Sequence, residues 1–189
     1  VKNRGDLGHN LSLDSSGALP AIDRYTGVLY DALEASELDP SARAWLANNV
    51  SVQSALFGLI SSSDEIPAYR LSGSSRLPEL PATLKRLWAN AHDKIDWDQF
   101  EWVLDLRSKD YVALAPLPSG RGAWLQVAQR GPSGEVRALN HFNKVAKGDL
   151  VRRLARSQAE IPDADTFVRW ASQHGLEVAI GPEPGEMTL

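Results

Sequence analysis

The chain has 189 residues, 43% hydrophobic and 23% charged, which suits one soluble globular domain with a core that needs no covalent staple. It contains no cysteine, which excludes thiolate metal sites, disulfides and a thiol nucleophile. A net charge of −4 excludes a polycation, and no apolar run reaches the roughly 18–20 residues of a membrane-spanning helix. No signal peptide is recognisable, so the cytoplasm is the default compartment.

In chain order, residues 1–19 are polar and rich in Gly, Ser and Asn, and read as a loop or frayed end. The chain opens on Val1 rather than methionine, and we expect it to begin inside a longer protein. Ala21 to Tyr25 looks strand-like, with a turn at Thr26-Gly27. Asp39 is placed to cap a helix with Pro40 in its first turn, ending near Asn48-Asn49. Val50 to Ile60 mixes alternation with an apolar run and predicts one largely buried strand. Ser61 to Asp64 turns the chain, and Pro67 to Leu71 looks extended.

Leu84, Leu87, Trp88, Ala91 and Ile95 recur at helical spacing. Trp102 to Leu106 predicts a strand, and Ala123–Ala128 with Glu135–Leu139 predicts a hairpin around Gly131-Pro132-Ser133-Gly134. Asp149 is expected to cap a helix running to Gln158. A last helix carries Phe167, Val168, Trp170 and Ala171, closed by Gly175, before a strand at Leu176–Ile180. The irregular mixture predicts a single mixed α+β domain over 1–189, with a central β-sheet flanked by helices.

The four histidines, His9, His92, His141 and His174, are scattered without an i,i+4 partner, so each reads as a surface or core residue and no metal site is assigned. No cofactor motif is present, and no residue is assigned a catalytic role; Ser119-Gly120-Arg121-Gly122 lacks the phosphate-loop pattern. The informative feature is local charge. From Arg137 to Arg156, six basic residues face one acid, a net of +5 that leaves −9 for the rest. Arg152 and Arg156 lie four apart and are expected to project as a stripe able to meet phosphates, although a solvated helix face reads the same way. Tyr69-Arg70 and Arg107-Ser108 with Tyr111 place arginine forks and hydroxyls at strand ends, a chemistry suited to carboxylate or phosphate and equally to internal ion pairs.

Several segments in this order resemble the peroxide stress protein YaaA family: Arg24 to Tyr30, Ser54 to Ile60, Ile66 to Leu71, Leu87-Trp88, Val103 to Ser108 with Tyr111, and His141-Phe142-Asn143-Lys144 with Lys147-Gly148. The Arg107-Ser108 and His141–Lys144 forms look most like actinobacterial members. The resemblance implies a bacterial, cytosolic protein of the hydrogen peroxide response, associated with limiting unincorporated iron. It also implies a positively charged cleft that binds double-stranded DNA and a helix-hairpin-helix-like element, here Asp149–Gln158 and Asp163–His174. Members begin with a strand and motif that have no counterpart after Val1. The hairpin Glu160-Ile161-Pro162-Asp163 has no glycine, so side chains would carry any DNA contact.

Three readings follow. In the first, Lys144, Lys147, Arg152, Arg153 and Arg156 neutralise DNA phosphates without base readout, and Arg70 and Arg107 line the cleft. In the second, Tyr25, Tyr69, Arg70, Arg107, Ser108, Tyr111 and Asn143, with Lys144, surround a small anionic metabolite, and the chain is an enzyme. In the third, the charges pair internally on a scaffold. With no cysteine and no clustered histidine, any iron effect is expected to be indirect. The oligomeric state is left open.

Overall fold

A computed structural model describes residues 10–130, 136–137, 140–181, 183 and 185–189. The chain begins with β1 (Leu19–Pro20), α1 (Ala21–Arg24), α2 (Val28–Leu33), a 3-10 turn at Ala35–Glu37, and α3 (Pro40–Asn49). A hairpin follows, β2 (Ser51–Ser54) with β3 (Gly58–Ser61), then β4 (Glu65–Ile66), which pairs antiparallel with β1. Next come α4 (Leu84–His92), a 3-10 turn at Trp97–Gln99, β5 (Val103–Asp105), α5 (Lys109–Leu114) and β6 (Gly122–Gln126). The last elements are β7 (Gln129–Arg130) paired with β8 (Val136–Arg137), α6 (Asn140–Ser157), α7 (Ala164–Gln173), β9 (Ala179–Ile180) and β10 (Glu186–Thr188). The architecture is mixed α+β, as the sequence predicts.

The central sheet has the order β5-β6-β10-β9, with β5, β6 and β10 parallel and β9 antiparallel at the edge. On β6, Ala123 and Leu125 alternate into the core, and Leu125 stands opposite Met187 of β10. This face packs on Leu150 and Leu154 of α6 and on Phe167, Trp170 and Ala171 of α7. Val151 and Ala155 point instead toward Leu33, Ala42 and Leu46 of α2 and α3. Two apolar faces on one helix make α6 the beam between the two cores. Gly148 lets α6 press on α2, because a Cβ there would meet the Leu29 carbonyl and lie 2.8 Å from the Ala32 Cβ.

Several sequence expectations hold. Asp39 Oδ1 accepts from the Ala42 N–H at 2.9 Å with Pro40 in the first turn. The cap of α7 is one the sequence reading does not assign: Asp163 Oδ1 accepts from the Thr166 N–H at 2.6 Å. Gly175 closes α7 at φ +71°.

Others are corrected. Ala21 to Tyr25 is not a strand but the helix α1, because the first N–H groups of that turn donate to the Asp64 and Ser62 carbonyls after β3. Val50 to Ile60 is not one strand. Ser54 Oγ accepts from the Leu56 and Phe57 N–H groups and Gly58 adopts φ +80°, which folds the segment into the β2–β3 hairpin. Pro67 to Leu71 runs outside any ladder.

The expected hairpin forms from β7 and β8, two residues a side, while Ala123 to Gln126 belongs to the central sheet; its turn, 131–135, lies outside the described residues. The helix expected from Asp149 starts nine residues earlier, at Asn140, and Asp149 pairs with Arg153 rather than capping. The C-terminal strand shortens to Ala179–Ile180, and the unpredicted β10 inserts between it and β6.

Candidate anion-binding site

Four polar residues from distant parts of the chain are buried together. Gln53 comes from β2, His92 from the last turn of α4, Asp105 from the carboxyl end of β5 and Lys147 from the middle of α6. Each is at most 8% exposed. Carboxyl ends of parallel strands are where sheets of this kind place ligand-binding groups.

Asp105 grips Arg107 with both oxygens: Oδ1 accepts from Nε at 2.9 Å, and Oδ2 accepts from Nη2 at 2.7 Å. The third nitrogen, Nη1, donates to Gln53 Oε1 at 3.4 Å, and that oxygen also lies 2.7 Å from His92 Nε2. Burial, and then the nearby Arg107 charge, hold His92 below the ordinary histidine range and keep it neutral at pH 7. With Nε2 donating to the Gln53 oxygen, Nδ1 is left unprotonated and buried, with no hydrogen-bond partner among the described residues. The Arg107 carbonyl accepts from Trp124 Nε1 at 2.9 Å and from Lys147 Nζ at 3.5 Å. Burial pushes the Lys147 amine down to about 8, against the smaller pull of Asp105. Two cations therefore face one carboxylate in this cluster.

Ser54, the neighbour of Gln53, carries a second group. Its Oγ lies 2.7 Å from the Tyr69 hydroxyl, which lies 2.6 Å from the Tyr25 hydroxyl. Tyr25 stacks on Tyr30 at 5.4 Å between centroids, and Phe57 meets Tyr69 edge-on. Tyr111 is close enough to Tyr30 to disfavour its ionisation, and Tyr69 does the same to Tyr111, so all four tyrosines of the chain gather here. Burial raises Tyr25, Tyr30 and Tyr111 above the usual phenol range, so they remain donors at neutral pH.

The sequence-derived candidates divide. Tyr25, Tyr69 and Tyr111 come together, as do Arg107 and Lys147. Arg70 is exposed, and its backbone is tied through both N–H and carbonyl to the Asn10 side chain. Ser108 is exposed ahead of α5 and makes no side-chain cap. Asn143 holds a buried Oδ1 with no hydrogen-bond partner among the described residues.

On α6, Lys144 and Arg156 are exposed, Arg152 is ion-paired with Glu34 just past α2, and Arg153 Nε lies 2.7 Å from Asp149 Oδ2. Lys147 shares the helix's inner face with Val151 and Leu154, so it points away from the solvent stripe. The side chains of Arg137 and His141 lie outside the described residues. Gln53, Asp105 and Tyr30 were not among the candidates, and His92 was read as an isolated histidine. A polar residue at the end of an apolar strand, as in Val103-Leu104-Asp105, was the available signal.

A cavity of about 610 Å³ lies on the other side of α6, lined by Ala32, Ala128, Phe142, Ala146 and Leu189, with Glu34 and Arg152 in its wall. Among the described residues, no group of three or more His, Cys, Asp or Glu is placed to hold a metal ion, and no helix is long and apolar enough to cross a membrane.

Fold and site together define a mixed α+β protein with a buried, net-cationic polar cluster at the carboxyl end of a parallel strand. Over residues 4–177 the chain matches the family described as Peroxide stress protein YaaA, and it belongs to that family. It is 39% identical over 189 residues to a UPF0246 protein of Corynebacterium glutamicum, covering 98% of this chain and 74% of the relative. To a UPF0246 protein of Streptomyces coelicolor it is 40% identical over 158 residues, covering 80% and 58%. To one of Lactobacillus delbrueckii subsp. bulgaricus it is 32% identical over 152 residues, covering 79% and 62%.

Proposed function

We propose that this chain serves the bacterial peroxide response in the cytoplasm by binding a small monoanion, carboxylate or phosphate, at the Arg107–Lys147 cluster. The observation that carries this reading is the uncompensated positive charge: Arg107 and Lys147 against Asp105 alone, largely removed from water. A buried charge without a counter-charge is costly, and a bound anion relieves that cost. Arg107, held in place by Asp105, contributes a fixed guanidinium charge to the anion. In this reading any effect on unincorporated iron is indirect.

Double-stranded DNA is the competing ligand. Exposed Lys144 and Arg156 on α6 support it, together with the succession of α6 and α7 as a helix-hairpin-helix-like element. It is the weaker reading, because Arg152 and Arg153 each face a carboxylate and Lys147 is turned inward.

Calorimetric titration separates the two. Inorganic phosphate or a small carboxylate is expected to bind wild type and to lose most of its affinity in Lys147→Met and Lys147→Arg. A short duplex titrated from about 50 to 200 mM salt is expected to bind weakly. Tight duplex binding with a log–log slope near −4 to −5, without any small-anion binding, would overturn the proposal.

A further inference from the structure

We infer that Lys147 is a carbonyl-reactive amine, and that the anion taken by this site is a small oxo acid or anionic aldehyde which condenses with it. The inference deepens the anion-site reading and rests on it for the choice of substrate class.

The first observation is the place of the amine. Lysines buried for structure are held by carboxylates, because an unpaired ammonium in the interior is costly. Lys147 is 4% exposed, and among the described residues no carboxylate lies within ion-pair distance of its Nζ. The nearby Asp105 has committed both oxygens to Arg107. What the amine has instead is one backbone carbonyl, that of Arg107, at 3.5 Å, the outer limit of a hydrogen bond. That carbonyl is already satisfied by the Trp124 indole at 2.9 Å.

The second observation is the company it keeps. The residue whose carbonyl the amine meets is Arg107, and its guanidinium, fixed by Asp105 and with its side chain 16% exposed, is suited to a carboxylate. Burial of Lys147 itself favours the uncharged amine, which is the nucleophile. At pH 7.5 an ordinary lysine offers only about a thousandth of its population as free base, whereas one titrating near 8 offers roughly a quarter.

The chemistry balances without a co-reactant. The nitrogen lone pair attacks the carbonyl carbon as the C=O π pair moves to oxygen, giving a carbinolamine. The C–O bond then breaks, the C=N bond forms, and the oxygen leaves as water carrying two hydrogens that began on the amine nitrogen. No atom changes its net oxidation state.

Glyoxylate is the probe, trapped with cyanoborohydride as a secondary amine and mapped by peptide mass spectrometry on the full folded chain. Lys144, exposed and three residues away, is the internal control. The expected result is labelling of Lys147 about tenfold or more above Lys144 at pH 7.5, rising to a plateau above pH 8. Labelling that follows exposure, with Lys144 first, overturns the inference. Equal labelling of Lys147 by propionaldehyde overturns the anionic substrate class. Inorganic phosphate present during labelling is expected to protect Lys147. Selective labelling without that protection would sink the anion-site reading and leave the amine assignment standing.

Discussion

The hydroxyl of Tyr69 stands between two partners that come from separate earlier elements of the chain. It lies 2.6 Å from the Tyr25 hydroxyl, beside α1, and 2.7 Å from Ser54 Oγ at the end of β2. Ser54 Oγ also accepts two backbone N–H groups of the hairpin turn, so the phenol of Tyr69 joins the start of the fold to the β2–β3 hairpin through oxygen atoms alone.

That position makes Tyr69 costlier to truncate than Tyr25. Tyr69→Phe removes both contacts and leaves the Tyr25 hydroxyl without this half-buried partner, an expected loss of about 1–3 kcal/mol. Tyr25→Phe keeps the Tyr69–Ser54 bond and is expected to cost about 1 kcal/mol or less. Urea unfolding of both variants and the double variant checks this. Equal single losses that simply add would show that the hydroxyls are not coupled.

Gly148 is expected to tolerate no side chain. A Cβ would run into the Leu29 backbone carbonyl and sit 2.8 Å from the Ala32 Cβ, so α2 and α6 would have to separate. Gly148→Ala is therefore expected to destabilise by about 1–3 kcal/mol although alanine is the better helix former. Gly120→Ala is a useful contrast. Its φ is +79° and the space beside it is open, so its cost is backbone strain alone. A more stable Gly148→Ala protein would contradict the close helix crossing.

The pH dependence of stability carries the signature of Lys147. Its folded value of about 8 lies below the ordinary 10.5, so below about pH 8 both folded and unfolded chains hold the proton. Between about 8 and 10.5 only the unfolded chain does, and folding stability rises with pH, by at most about 3 kcal/mol. The tyrosines act in the opposite sense. Unfolded phenols ionise near 10.0 and the buried ones above it, so their contribution is present below pH 10 and lost beyond it. Unfolding midpoints of wild type minus Lys147→Met are expected to climb from pH 8 toward pH 10. A flat difference would show that the folded amine keeps an ordinary affinity for its proton.

What could be read without coordinates was the local chemistry. Asp39 with Pro40 and Gly175 were legible because a cap needs only its own turn, and α4 was legible because one apolar face repeats along it. Family membership was legible for a similar reason, since short segments in fixed order survive in the linear chain. The long start of α6 was not, because Asp149 looked like a cap and its actual partner, Arg153, lies on the helix it was expected to begin.

Tertiary structure decided the rest, and above all the site. Lys144, Lys147, Arg152 and Arg153 are interchangeable as charges in a row. Helical phase turns Lys147 inward, Arg153 meets Asp149 one turn earlier on α6, and Arg152 meets Glu34, a partner just past α2 that only the fold brings near. Burial does the same for Gln53, His92 and Asp105, whose chemistry depends on being taken out of water together. Dielectric environment and convergence are properties of the folded volume, and a chain written in one dimension does not contain them.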